Sequence, residues 1–266
     1  MNPALFAKFA SVTFQKQITY RFDYFMGILN GFLYVFIFTS LWRALYAHMP
    51  QEPHSGFTLT GIITYAVFAM ALKISFSMDD TVVYKKVQDG GVAIDLMRPV
   101  SFYFMNLAES VGYSIFHIFA RALPILVISV LIFNVHFDMG LDRVGIFAVS
   151  ALFGYLILFM INYLIGLLAF WFLEVFPFQL FKYGLITFLS GGIVPVDFFP
   201  DAMRPFIMML PFQYIHYTPT VIILGHVDAG RAAELVLYQA VWVVLLALLS
   251  KSAWSAGKNK LVIQGG

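Results

Sequence analysis

The chain has 266 residues, of which 61% are hydrophobic and 11% charged, with 30 Phe, 14 Tyr and no Cys. A soluble domain averages about 45–50% apolar and about 25% charged residues. With a mean hydropathy of +0.85, this chain has too much apolar surface for a soluble core, which specifies an all-α integral membrane protein in a single unit, residues 1–266. The lack of Cys excludes disulfides, thiolate nucleophiles and cysteine metal sites, and a formal charge of +2 is too small for a nucleic-acid footprint.

The N-terminal MNPALFAKFASVTFQKQ carries no cleavable signal pattern, because no clean apolar core precedes a small-residue cleavage site. Leu5, Phe6, Phe9 and Val12 are apolar, while Lys8, Ser11, Gln15 and Thr19 recur at helical spacing. That pattern predicts a helix lying in the inner membrane interface, either as a lever that meets a cytoplasmic partner or as an anchor alone.

A transmembrane helix needs about 20 mostly apolar residues. Six stretches qualify: Tyr24–Tyr46, Phe57–Phe76, Tyr113–Val135, Val144–Leu173, Phe178–Val194 and Ala232–Ser252. The third can start earlier, since Phe102–Glu109 is also apolar. In the first, Gly27 and Gly31 form a GxxxG face that lets two helices approach closely, with Asn30 able to add a hydrogen bond. This points to a subunit contact or to chance. The Gly184 and Gly191 side of the fifth is a second candidate for close contact.

Between the second and third stretches lies DDTVVYKKVQDGGVAIDLMRP, holding Asp79, Asp80, Lys85, Lys86, Asp89, Asp95 and Arg98. Asp79 or Asp80 can cap a helix over Thr81–Asp89, and Gly90-Gly91 can end it. A second short element, Val92–Met97, stops before Arg98-Pro99, because the residue before proline is pushed away from helix. Val83 and Val87 share one face, and Lys85, Lys86 and Gln88 lie mostly elsewhere. Such a rod transmits force from a soluble partner, or it is an interfacial loop with solvated charges.

Arg121 falls inside the third stretch, where a charge must face a cavity or a partner, with Glu109, Glu174 and Asn162 as candidates; if the helix starts late, it snorkels. His117 shares its face as a packing residue or a ligand. Asn162 and Tyr163 contact substrate or bond between helices. The aromatic load is compatible with an amphiphilic cargo, though most Phe must face lipid or fill the core.

Five of the eleven prolines, Pro195, Pro200, Pro205, Pro211 and Pro219, interrupt an apolar run holding Phe198, Phe199 and Phe212. Irregular backbone enters a membrane only where protein or a water-filled cavity satisfies it. The segment is therefore expected as two half-helices, Asp201–Leu210 and Tyr214–Leu224, dipping in from the outer face. They form an outer gate around Phe198 or Phe199, or a packed lid.

Placing the N-terminus in the cytoplasm puts Lys8, Lys16, Arg21, Lys73, Lys85, Lys86, Arg98, Lys182, Lys251, Lys258 and Lys260 inside, and Arg43, Arg143, Arg204 and Arg231 outside. The positive-inside bias thus favours cytoplasmic termini and a cytoplasmic charged segment.

The run GGVAIDLMRPVSF resembles the cytoplasmic loop of ABC-2 family permeases of ATP-binding-cassette transporters. GGIVPVDFFPDAMRPFIMMLPFQYIHYTPTVIILG resembles the last outer segment of the same six-span branch. The resemblance implies a permease, usually an exporter, in a prokaryotic inner membrane, working as a pair of identical or related permeases with a separate soluble ATPase. It implies that Asp80–Asp89 is the coupling helix, with Val83, Tyr84 and Val87 as anchor and Lys85, Lys86 and Asp89 at the rim, and Arg98 just beyond. No G-x-x-x-x-G-K-[ST] pattern occurs, and Gly257-Lys258 is followed by Asn259. No cofactor is expected in this chain, so ATP and magnesium belong to the partner.

Two other classes compete. A secondary carrier or channel predicts inverted repeats and broken midplane helices, which the chain does not show clearly. A lipid-modifying enzyme needs more carboxylates near Asp79-Asp80 than the distant Asp89 and Asp95, and neither H-E-x-x-H nor a metal-ligand cluster is present.

Overall fold

The computed structural model describes residues 2–19, 21–48, 56–133, 135 and 140–260, and every regular element among them is a helix. Helix α1, Pro3–Ile18, starts where the Asn2 side chain accepts the Ala4 N–H at 3.1 Å, with Pro3 at a position whose missing donor costs nothing. Then come α2 (Arg21–Ala47) and α3 (Leu59–Ser75, entered through a Thr58 side-chain cap). Two short helices follow, α4 (Val82–Gln88) and α5 (Gly91–Leu96). Helix α6 (Phe102–His117) continues through a π-helical turn, Ile118–Ala122, into α7 (Leu123–Phe133). Pro124 has no N–H for the carbonyl four residues back, and the ladder loosens just ahead of it. The chain is completed by α8 (Leu141–Leu167), α9 (Phe176–Leu189), α10 (Arg204–Met209), α11 (Tyr217–Ile223) and α12 (Ala229–Lys258).

Among the described residues, four helices are long and apolar enough to cross a membrane: Tyr24–Ala47, Phe102–Phe133, Arg143–Phe170 and Ala229–Lys258. They correspond to the first, third, fourth and sixth expected spans, and the third begins at Phe102. The other two expected spans are shorter helices, α3 with 17 residues and α9 with 14, below the usual spanning length of about 20 residues. Helix α9 ends at Ser190 because Gly191 follows in the left-handed region, φ 73°. Asn134, within the expected third span, and the Arg21 side chain lie outside the described residues.

The core is built around α8 and α3, with the proline-rich segment and α11 packed between them. Ile62, Tyr65, Val67 and Ala69 of α3 and Ile157, Phe159, Met160 and Leu167 of α8 are each at most 2% exposed. A helix that is apolar all round buries on several sides, which explains why α3, though short, is well enclosed.

Glycines set how closely the other elements approach. A Cβ on Gly112 of α6 would run into the Ala10 backbone of α1. One on Gly154 of α8 would lie 2.8 Å from the carbonyls of Tyr214 and Ile215, and one on Gly166 would lie 2.6 Å from Val83 of α4. The GxxxG pair is used inside the chain: Gly27 faces the Arg121 side chain and Gly31 faces Ile125. Within the chain, that face is met by the π turn and α7.

The proline-rich segment enters the bundle and returns. Phe198 lies beside Trp42 and Phe57 at one end of α3, His216 reaches Phe76 at the other, and His226 is back against Phe57. The half-helices are shorter than expected, since Pro205 and Pro211 bracket α10. Residues 213–223 are all buried, so their backbone must be satisfied by protein. Gln239 Nε2 donates to the carbonyls of Ser150 (3.0 Å) and Tyr214 (2.9 Å), the Tyr217 N–H donates to the Ser190 carbonyl at 2.9 Å, and the Tyr65 hydroxyl donates to the Gly191 carbonyl at 2.6 Å.

Replacing Gly112 with Leu should separate α1 from α6, because a backbone carbonyl cannot move aside as a side chain can. Overpacking of this kind costs about 1–3 kcal/mol. Limited proteolysis of the purified protein should then cut within α1 faster than in the wild type, with the rest of the bundle retained.

Candidate functional site

The charged segment forms a braced rod. Asp79 Oδ1 accepts the Thr81 N–H at 3.0 Å and the Thr81 hydroxyl at 2.7 Å, an Asx turn that aims the chain into α4. Asp79 thus fixes the approach, while Thr81 occupies the cap position without a side-chain cap bond. Gly90, at φ 73°, ends α4 in a conformation that side-chain-bearing residues rarely take, and α5 follows at once.

Two lysines fasten this rod to the long helices. Lys86 Nζ donates to Glu109 Oε2 at 2.9 Å and Asn106 Oδ1 at 3.3 Å, lies 3.4 Å from Asp95 Oδ2, and sits 5.8 Å from the Phe102 ring centroid. Arg98 closes on the other oxygen of Asp95 at 3.3 Å. One ammonium thereby joins α4, α5 and α6. Lys182 of α9, only 5% exposed, donates to Asp80 Oδ2 at 2.5 Å and to Asn162 Oδ1 of α8 at 2.7 Å. Gln179 Nε2 donates to the Asp80 carbonyl at 3.1 Å, and Gln88 Nε2 to the Leu173 carbonyl at 2.5 Å. A buried ammonium needs a partner of this kind.

The rod presents a different face from the one read in the sequence. Val83 is buried against Gly166, Val87 packs on the same core, and Tyr84 is half-buried. Val83 and Val87 thus turn toward the end of α8, and Tyr84 keeps part of its surface free, so the face read as a partner's anchor lies largely against the bundle. Lys86 is turned inward to its carboxylates rather than standing at a rim. The outward face consists of Lys85, Gln88 and Asp89, with Ile94 57%, Leu96 47% and Met97 80% exposed on and beyond α5, beside Arg98.

Of the partners considered for Arg121, Glu109 is held by Lys86 and Asn162 by Lys182. Arg121 itself lies across Gly27, and Asn30 is exposed. At the other end, Pro195 and Pro211 are buried and Pro200 is exposed. Phe198 packs 4.9 Å from the Trp42 ring, Phe199 sits 6.0 Å from the Phe188 ring, and Phe212 lies on the core edge. Arg204 donates to the carbonyls of Asp197 (2.5 Å) and Phe199 (2.8 Å), and the Tyr217 hydroxyl donates to Asp197 Oδ2 at 2.9 Å. Burial pushes the Asp197 carboxyl above its usual range, against the Tyr217 bond, its own backbone bond and Arg204, which pull it down.

Among the described residues, no group of three or more His, Asp and Glu is placed to hold a metal ion. The sequence reading missed the role of Lys182; its only signal was a lone basic residue in an otherwise apolar stretch.

A family model described as "ABC-2 family transporter protein" matches residues 23–265. No curated protein and no solved structure matches the chain.

Removing one partner of a buried pair leaves an uncompensated charge, at about 3–5 kcal/mol. Asp80 is partly solvated, its side chain 39% exposed, so Asp80→Ala should cost somewhat less, about 2–3 kcal/mol. Adding Lys182→Met should recover most of that loss. Thermal denaturation of the detergent-purified protein measures both, and an Asp80→Ala midpoint equal to wild type would remove the brace from the account.

Proposed function

The chain belongs to the ABC-2 family of transporter proteins, and we propose that it is the membrane-spanning subunit of an exporter driven by a separate soluble ATPase. It is a multi-pass membrane protein of a transport family, and nucleotide hydrolysis in that family is the work of the partner. On this reading both termini and the charged segment face the cytoplasm of a prokaryotic cell, and α3 and α9 complete six passes with the four longer helices. ATP and magnesium bind in the partner alone.

The observation that carries the proposal is the braced rod with an unbraced outer face. Helices α4 and α5 are tied to α6 through Lys86 and to α8 and α9 through Asp80 and Lys182, so a push on the rod reaches three further helices. Ile94, Leu96 and Met97 stay exposed between Lys85, Asp89 and Arg98, an apolar centre with a charged rim such as protein interfaces use. The ATPase docks there. The proline-rich segment acts as a packed lid, since Phe198 is wedged among Trp42 and Phe57.

A second copy of the chain completes the path along α9. That helix presents Leu180, Phe181, Tyr183 and Phe188 outward, each at least 61% exposed, and Gly184 among them has nothing nearby that a Cβ would meet.

Two measurements test these contacts. Co-expressed with an ATPase carrying the phosphate loop, an Ile94→Asp, Met97→Asp double variant should bind it at least about tenfold more weakly, as loss of hot-spot contacts requires, and should lose stimulated hydrolysis. Unchanged binding and hydrolysis would remove the docking assignment. Because the chain has no Cys, Gly184→Cys can be oxidised in membranes without interference; a covalent dimer is expected, and a monomer under all oxidants would place α9 against lipid.

A further inference from the structure

Between α1 and the charged segment lies a cavity of about 460 Å³, walled also by α6 and α8 and of a size that suits a small ligand or a headgroup. Most charges on its wall are already neutralised: Lys86 pairs with Glu109, Asp80 with Lys182, and Arg98 with Asp95. Lys16 and Asp79 also line it, and neither forms an ion pair among the described residues. Asp79 uses one oxygen on Thr81. Tyr163 lines the cavity too; it is 1% exposed, and its buried hydroxyl makes no hydrogen bond among the described residues, leaving a donor that a ligand oxygen can engage.

One unneutralised cation and one unneutralised anion select the ligand's charge. A simple anion would bind Lys16 but face Asp79, and a simple cation the reverse. A zwitterion answers both. Phe9 and Val12 of α1 add an apolar margin, with Val12 46% exposed. A free polar zwitterion has no use for that margin, whereas the acyl chains of a lipid do.

We propose that this cavity seats the zwitterionic headgroup of an aminophospholipid, its phosphate at Lys16 and its primary ammonium at Asp79, with Tyr163 donating to an oxygen of the headgroup. The acyl chains leave past Phe9 and Val12. Because Asp79 also aims the chain into α4, the bound headgroup bears directly on the entry to the rod. Its position in the inner leaflet rests on the orientation proposed above, but its binding does not.

The test is native mass spectrometry of the purified full chain in detergent. It is titrated with phosphatidylethanolamine, phosphatidylcholine and phosphatidylglycerol of identical acyl chains. The ethanolamine lipid should be retained about tenfold more tightly than either, since the choline lipid cannot donate hydrogen bonds to a carboxylate and the glycerol lipid has no cation. Asp79→Asn keeps an oxygen for Thr81 and so preserves the start of α4; it should abolish the preference for ethanolamine over glycerol lipid. Lys16→Gln should weaken all three. Tyr163→Phe should weaken retention without changing the order, and Lys8→Gln, exposed on α1 and outside the cavity, should change nothing. Equal retention of the three lipids, or a preference surviving Asp79→Asn, overturns the site. Displacement of the lipid by an equal concentration of phosphoethanolamine would overturn the lipid as its source. No ATPase enters the measurement, so failure here leaves the transport reading standing, and failure of that reading leaves this one testable.

Discussion

The buried ammonium of Lys182 is the constraint on which the charged end of the bundle depends. It lies on α9 at 5% exposure and meets a carboxylate from the approach to α4 and an amide from α8. An unpaired ammonium in that position would be costly, so α9 and α8 can pack together there only if Asp80 is delivered to the same point. That requirement fixes where the rod begins. Lys86 then fixes where it turns, by drawing Asp95 and Glu109 to one place. Burying such pairs adds little stability over apolar packing, and its attested benefit is specificity of arrangement. In a chain so rich in interchangeable apolar contacts, these ionic nodes set the register of the short helices against the long ones.

The elements that were legible in the sequence are those with long-range periodicity or strong punctuation. The long spans follow from uninterrupted apolar length, the two-helix rod from Gly90 and Arg98-Pro99, and the folded-in proline-rich segment from prolines set among Phe and Met. The lengths of α3 and α9 were not legible. Apolar composition continues past Leu189 to Val194, and only the positive φ of Gly191, which places Tyr217 and Tyr65 around it, shows that the helix has stopped. The orientation of α4 was also hidden. Val83 and Val87 have the same spacing whether they face a partner or their own bundle, and the deciding fact, the gap left by Gly166, lies more than eighty residues away.

The same ambiguity explains the glycine pair in α2. A GxxxG motif states that something comes close, without saying what. Here the visitor is a charged side chain of the same chain, Arg121, together with Ile125. Small residues at a helix face are thus as useful for admitting a large polar side chain as for admitting another backbone. Gly112 and Gly154, which carry no motif, are the places where backbone meets backbone.

Helix α8 connects these observations into one load path. Along its 27 residues, about 40 Å at 1.5 Å per residue, it touches the lid through Gly154 and the Ser150 carbonyl, and the rod through Asn162 and Gly166. At both places the contact is close or hydrogen-bonded, with little side-chain length to absorb a displacement, and packed interiors transmit small shifts rather than damping them. The lid end is held by Gln239 bridging the Ser150 and Tyr214 carbonyls; the rod end is held by an ionic node. A helix gripped in this way at two levels links the two contacts directly. On the proposed transport reading, α8 is therefore the element through which movement of the rod reaches the proline-rich lid, and neither end needs a hinge of its own.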